Sequence, residues 1–313
     1  QQAMHTPGGC SASAWSGLAG LGITSLTIPE ALGGMGQPMT DLLPLMETLG
    51  EALVLEPVPW SAVFGTQILL ALPVGPSRDA RLAALAGGDA RCAVLCGKEP
   101  GVGKTPQPTV IAQRVGDEWQ LNGDDAMVMG GTDAHHFIVA ATLDDGSLGL
   151  FDLPADASGV VVQGYRFHDG RGAAEVQLTN VRLSACSMLG QGEQAATALD
   201  IGMTFATLAL CADSIGAMRR ALGITAEYLR TRRQFGRTHA EQQVVQHRMA
   251  DHFRAWNGAR HLARRVLADW DAAPPAERRR RICAAKHLSG VVGRAIAFDV
   301  LQLHGAVGLQ DET

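Results

Sequence analysis

Tyr228-Leu229-Arg230-Thr231-Arg232-Arg233-Gln234-Phe235-Gly236 lies between two long helix-forming stretches, and its reading decides the fold. Residues from about 194 to 231 read as one helix. Downstream, about 240–271 reads as a second, with Val245, Met249, His252, Trp256, Ala259 and Ala263 on one face. A third spans about 277–304, and Gly236 and the Pro274-Pro275 pair separate the three. Long amphipathic helices in succession predict an up-down bundle. Arg232 and Arg233 fall at a helix C-terminus, where the macrodipole favours a cation. Gln234, Phe235 and Gly236 then add an amide, an aromatic plane and a turn. These groups can hold a pyrophosphate and flank an adenine ring. A plain helix-capping arginine pair is the competing reading.

Working back from the bundle, the texture changes. Between about 92 and 188 short apolar runs are separated by turn residues: Cys92–Cys96, Thr109–Val115, Trp119–Leu121, His136–Ala141, Leu148–Asp152, Val160–Gln163 and Glu175–Leu178. Asn122-Gly123, Gly130-Gly131, Asp145-Gly146 and Asp169-Gly170 read as turns. Strands this short and regular predict a small barrel or sandwich. Before them, Leu42, Leu45, Met46, Leu49 and Leu53 form one apolar helix face, ended by Pro57 and Pro59. The chain thus reads as a multi-domain α+β protein. Residues 1–91 form an N-terminal helical domain, 92–190 a central small β-barrel and 191–313 a C-terminal helical bundle, expected to continue past Thr313.

The bulk properties narrow the partners. Of 313 residues, 46% are hydrophobic and 18% charged, a folded composition. A net charge of −5 gives no reason to expect nucleic acid or an anionic membrane. The run Arg278 to Arg281 reads as the solvated start of a helix. No stretch approaches about 18 uninterrupted apolar residues, and no leader pattern opens the chain, which begins with Gln and is expected to start part-way into a longer protein. Cys10, Cys92, Cys96, Cys186, Cys211 and Cys283 lack zinc-ligand spacing and read as thiols of a reducing compartment, so a cytoplasmic enzyme is expected.

The order α, β, α-bundle resembles the acyl-CoA dehydrogenase family, with its N-terminal helical domain, central β domain and C-terminal four-helix bundle. Three stretches carry the resemblance. Trp15 through Gly22, followed by Ile28-Pro29-Glu30 and Gly33-Gly34, is similar to an early family motif. Tyr228 through Gly236, then Gln242, Gln243 and Ala250-Asp251, looks like its arginine-glutamine-phenylalanine-glycine signature. Gln302-Leu303-His304-Gly305-Ala306-Val307-Gly308 looks like its glutamine-histidine-glycine loop. The resemblance covers nearly the whole chain. It implies FAD as cofactor, an acyl-CoA substrate, an electron-transfer flavoprotein as partner and an oligomer. Arg232, Gln234, Phe235, Gln302, Gly305 and Ala306 would reach a neighbouring subunit's FAD.

The stretches matched to the family's flavin-ring contacts depart from it. Where the family has tyrosine, then threonine-glutamate-proline-glycine and serine, this chain has Leu95-Cys96-Gly97-Lys98-Glu99-Pro100-Gly101, with Lys104 at the serine position. Lysine is a hydrated point charge and a poor stand-in for a hydroxyl. Where the family has Trp-x-Thr, the chain has Met127 and Met129, which could pack on a flavin or simply fill a strand core. Gly97, Lys98, Met127 and Met129 are the residues matched to the ring. For the catalytic base, the helix positions matched are Ala206 and Thr207, neither a carboxylate, and the family's commoner glutamate is expected beyond Thr313. Glu312 matches a glutamate that is not usually the base. Asp200, Asp213, His135, His136, His247 and His304 show no triad or metal pattern and read as structural.

Three readings stay open. The chain is an active acyl-CoA dehydrogenase, a base removing the α proton and the flavin taking the β hydride. It is instead a flavin-poor subunit of a heteromeric enzyme, completing its partner's FAD site, as in bacterial forms acting on pimeloyl- or steroid-side-chain-type thioesters. The stretches around Asp169-Gly170 and Cys211 to Met218 resemble pimeloyl-CoA dehydrogenase small subunits. Or it performs other flavin chemistry, such as an oxidase reaction.

Overall fold

The computed structural model describes residues 9–97, 107–268, 270 and 273–309. The chain forms two compact units, Gln1–Pro38 with Leu55–Ala206, and Met39–Val54 with Thr207–Thr313.

The first unit opens with helix α1 (Ala12–Gly20). Ser11 caps it by accepting the Ala14 N–H, and Trp15 is buried with its indole N–H donated to the Gly88 carbonyl at 2.9 Å. A π-helical segment, Val58–Gly65, runs directly into α3 (Thr66–Ala71), and α4 (Pro76–Gly87) follows. Wide π turns are rare and concentrate at functional sites, which marks this segment out.

Eight strands make one sheet: β1 (Cys92–Leu95), β2 (Val110–Val115), β3 (Glu118–Met129), β4 (His136–Leu143), β5 (Leu148–Pro154), β6 (Val160–Arg166), β7 (Gly172–Ser184) and β8 (Met188–Gln191). Their order is β6-β7-β3-β2-β4-β5-β8, with β1 parallel to β4. Strand β4 is apolar from Phe137 to Ala141 because both its faces are covered there. Ile138 and Ala140 pack with Phe64, Ile68 and Leu82 on the helical side, while Phe137, Val139 and Ala141 pack with Leu95, Leu121 and Phe151 on the other.

Two expectations change here. The sheet does not close into a barrel. Its end strands are β6 and β8, and β6 is solvent-exposed from Gln163 to Arg166, leaving no apolar face there to bury against a closing strand. Asn122-Gly123 is not a turn either, since β3 runs straight through it. Gly123 has φ +145, and a Cβ there would lie 2.5 Å from the Thr109 carbonyl oxygen, so the pair serves close strand packing.

The second unit holds α2 (Met39–Glu51), the part of α5 (Gly192–Thr231) from Thr207 onward, α6 (Gln243–Ala268) and α7 (Pro275–His304). Helix α2, grouped with the N-terminal segment in the sequence reading, therefore packs within the bundle. Gly50 and Gly216 explain how: a Cβ on Gly216 would sit 1.8 Å from the Glu47 carbonyl oxygen, and one on Gly50 1.9 Å from that of Asp213. Only glycine allows α2 and α5 to touch backbone to backbone. Buried Glu47 fixes α2 to α6, accepting from Arg260 at 2.8 Å and Arg264 at 3.0 Å. Ile215, Met218, Trp256, Ala263, Val292 and Ile296 fill the bundle core. Helix α5 is long and apolar enough to cross a membrane, yet 56% of its most apolar window is buried inside the fold.

Candidate cofactor site

The first unit carries a cavity of about 270 Å³. Trp60 and Phe64 of the π-helical segment form one wall, Val94, Cys96 and Gly97 the end of β1, and Asp125, Met127 and Met129 the floor on β3. Three of the residues matched to the flavin ring, Gly97, Met127 and Met129, thus converge on one pocket. Lys98, with Lys104, lies outside the described residues. Leu95 does not line the cavity: strand alternation sends Val94 and Cys96 toward it, and Leu95 into the opposite core.

A bulge in β3 shapes the floor. Asp125 pairs with Val176 and Val128 with Ala174, so three steps on β3 oppose two on β7. The bulge leaves Asp125 buried and Met127 49% exposed at the cavity, which removes the core-methionine reading for Met127. Asp125 is 7% exposed. One of its carboxylate oxygens accepts the Gly97 N–H at 2.9 Å and the other the Met127 N–H at 3.2 Å. Gly97 has φ +80, and a Cβ there would meet the Gln107 carbonyl oxygen at 2.1 Å. Tyr165 donates its hydroxyl to the Ala126 carbonyl at 2.8 Å, and burial raises its pKa, with the nearby Asp125 and Glu175 charges adding to it. The hydroxyl of Thr109, the one hydroxyl among the described lining residues, donates to the Asp124 carbonyl.

The second site lies wholly in the second unit. After α5 ends, Arg233–Gln234 and Arg237–Thr238 pair as a two-residue hairpin whose turn is Phe235-Gly236. Both turn residues have positive φ, +50 at Phe235 and +80 at Gly236, as the favoured hairpin turn requires. Phe235 is 95% exposed in a backbone conformation that bulky residues avoid, a strain of the kind found at binding sites. Arg232 and Gln234 are exposed beside it, and the His239 imidazole hydrogen-bonds the Gln234 side chain at 3.0 Å. A capping box between Thr238 and Glu241 delays the start of α6 to Gln243.

Tyr228 connects this hairpin to the end of α7. Its ring stacks on His304, and its hydroxyl donates to the His304 carbonyl at 3.2 Å. Gln302 and Ala306 are exposed there, and Gly305 adopts φ +64 and ψ −143, a conformation open to glycine alone. The two motifs, some seventy residues apart in sequence, therefore form one junction.

Ala206 is buried in the first unit and carries no titratable group. His304 donates from Nδ1 to the Val300 carbonyl at 2.8 Å, and His135 accepts the Arg91 N–H at 3.0 Å, so both are structural. Burial, then Arg91, holds the His135 pKa down. Among the described residues no cluster could hold a metal ion. Trp60, Phe64 and Asp125 were missed from the sequence. Asp125 could have been found, since Trp119 and Leu121 set an inward phase that reaches it. Trp60 and Phe64 had no local signal.

The described lining residues do not fit a flavin's pyrimidine edge. That edge presents two carbonyl acceptors on either side of one N–H donor, and the Gly97 and Met127 N–H groups that could meet the carbonyls are already bonded to Asp125.

A family model described as acyl-CoA dehydrogenase, C-terminal domain, matches residues 196–313. The chain is 28% identical over 306 residues to acyl-CoA dehydrogenase FadE27 of Mycobacterium tuberculosis, covering 95% of this chain and 79% of that protein. Its fold matches a structure described as a Tcur3481-Tcur3483 steroid ACAD variant, with a TM-score of 0.86 and 27% identity over 100% of this chain and 82% of that one. It also matches the ChsE4-ChsE5 complex from Mycobacterium tuberculosis, with a TM-score of 0.86 and 25% identity, covering 99% and 81% of the two chains.

Proposed function

From its similarity to acyl-CoA dehydrogenases we propose that the chain is a member of that family and works within an FAD-dependent enzyme that oxidises the α,β bond of an acyl-CoA thioester and passes the electrons to an electron-transfer flavoprotein. The observation that carries this reading is the junction in the second unit. Tyr228 and His304 hold the hairpin bearing Arg232 and Gln234 beside the helix end bearing Gln302, Gly305 and Ala306. Arg232 and Phe235 are exposed there on a rigid hairpin, which suits a ligand brought by another subunit.

FAD is the cofactor of this reaction, and when bound it supplies the hydride acceptor. The chain's residues bind and orient it. Arg232 offers a planar donor fork to a pyrophosphate, Phe235 an aromatic face to an adenine, and Gly305 an open backbone for close approach. In the first unit, Trp60, Phe64, Met127 and Met129 make an apolar enclosure that would keep water from whatever group occupies it. Ala206 and Thr207 offer no base for the α proton.

A second reading is favoured by one observation, the engagement of the Gly97 and Met127 N–H groups by Asp125. In it the chain is a subunit of a heteromeric enzyme that completes its partner's FAD site while its own ring pocket takes none. A protein described as a complex and one described as a steroid enzyme are among its structural relatives, so bulky acyl-CoA thioesters are the substrate class to try first. Scattered free thiols fit a cytoplasmic setting. The test is dye-coupled dehydrogenase activity of the tagged chain purified with its native partners, across straight-chain, dicarboxylic and steroid-type acyl-CoAs. Thioester-dependent dye reduction supports the proposal. No activity from a flavin-loaded assembly with any of these classes would overturn it.

A further inference from the structure

We propose that Asp125 is the residue that denies this chain a flavin ring of its own, by occupying the backbone donors the ring would need. The inference rests on the reading that the chain belongs to a flavin-dependent assembly, and it concerns only the pocket of the first unit.

Asp125 is placed by the strand itself. The alternation that buries Trp119 and Leu121 also buries Asp125, and the bulge that follows puts Met127 at the cavity with its N–H on the same carboxylate. Its two oxygens accept from Gly97 at 2.9 Å and from Met127 at 3.2 Å. These are charge-assisted bonds on a side chain 7% exposed, stronger than the bonds a neutral carbonyl would make with the same donors. The carboxylate thus acts as a built-in ligand of the Gly97 and Met127 N–H groups.

The surroundings sharpen the effect. Trp60, Phe64, Val94 and Met129 give the cavity apolar walls, and a fixed charge acts more strongly against such walls than in water. An isoalloxazine ring entering with its carbonyl edge toward Gly97 would bring two acceptor oxygens to a place where the Gly97 and Met127 N–H donors are already held by the Asp125 carboxylate. A reduced, anionic flavin would be opposed further. Replacing the carboxylate by an amide removes the charge and turns one oxygen into a donor of the kind the ring's carbonyls need.

The experiment compares the full-length chain with its Asp125→Asn and Asp125→Ala variants, titrated with FAD and with riboflavin and followed by flavin fluorescence. Riboflavin carries the ring without the pyrophosphate or adenine, so it reports on this pocket and not on the Arg232 hairpin. The wild-type chain is expected to bind riboflavin negligibly, and Asp125→Asn to tighten both ligands by roughly tenfold or more, the scale of one recovered hydrogen bond plus removal of a buried charge. Asp125→Ala, if it stays folded, is expected to gain as well. The nearly isosteric Asp125→Asn variant, checked by its thermal melt, decides the matter if the alanine variant unfolds. A folded Asp125→Asn chain with unchanged riboflavin affinity overturns the proposal, as does a wild-type chain that already holds the ring tightly. Loss of acyl-CoA activity in the native assembly would instead count against the functional reading and leave these affinities as they are.

Discussion

The ring of Tyr228 lies on that of His304, with 4.5 Å between centroids and 24° between planes, and the tyrosine hydroxyl donates to the histidine's own carbonyl. One residue precedes the hairpin and the other ends α7, so the contact sets the spacing between the two segments proposed to face the cofactor. Tyr228→Phe keeps the stack and removes the hydrogen bond. It is expected to cost about 0.5–1.5 kcal/mol in urea denaturation. Tyr228→Ala should also lower FAD retention by the assembly, because both segments lose their common support. Unchanged retention in the alanine variant would show that the junction does not position the cofactor.

Arg232 is exposed, and among the described residues its side chain makes no hydrogen bond or ion pair to the helix above it. Arg232→Ala is therefore expected to leave the thermal melt nearly unchanged while weakening FAD binding by about 1.5–3 kcal/mol, the range for a hydrogen bond to a charged group. Equilibrium dialysis of FAD against whichever assembly binds flavin checks this. Equal affinity in the variant would remove Arg232 from the site.

Phe235 combines a disfavoured backbone with an exposed ring. At φ +50 it sits where a bulky side chain is disfavoured, and it is 95% exposed. Phe235→Gly should stabilise the isolated chain by up to about 1 kcal/mol, since glycine adopts this conformation without a Cβ penalty. The same change should loosen FAD binding in the assembly. A variant that is less stable and binds FAD normally would contradict both halves.

The bundle leaves large apolar side chains in solvent: Phe253, Val291 and Phe298 are 56%, 54% and 64% exposed. We expect a homo-oligomer or a heteromer through this unit, giving at least a dimer by light scattering at micromolar concentration. A monomer, alone and in the presence of its native partners, would exclude it.

Buried Cys92 gives the first unit an alkaline limit. Burial drives its pKa up to about 12 from the ordinary 9.0. Its folded pKa is raised, so its contribution is fully present below about pH 9 and is lost as pH climbs toward 12, where the unfolded thiol ionises and the folded one resists. Stability should fall through that window, and Cys92→Ala should flatten the fall while lowering stability at neutral pH. Denaturation midpoints between these pH values test it, and an equally steep fall in the variant would assign the limit elsewhere.

Much of the architecture was legible because it is written in periodicity. The three long helices, the order of short strands and the turns at Gly130, Gly146 and Gly170 follow from local pattern and turn chemistry. What was not legible depends on distance. That α2 packs in the bundle is decided by Gly50 and Gly216 meeting backbone atoms far along the chain. Asn122-Gly123 has the composition of a hairpin turn, but its glycine serves a close approach to Thr109. At the ring pocket the sequence pointed to the losses at Met127 and Met129, while the residues that shape the cavity, Trp60, Phe64 and Asp125, come from a π-helical segment and a bulge. Neither the π-helical segment nor the bulge has a signature in a single sequence, although the alternation from Trp119 and Leu121 does reach Asp125.

The most direct test is the visible spectrum of the tagged chain isolated with its native partners, recorded before and after anaerobic addition of acyl-CoA thioesters. The account predicts a bound flavin whose absorbance bleaches with at least one thioester, and an Arg232→Ala assembly that carries markedly less of it. An assembly without flavin, or one whose flavin is bleached by none of the thioesters, would contradict it.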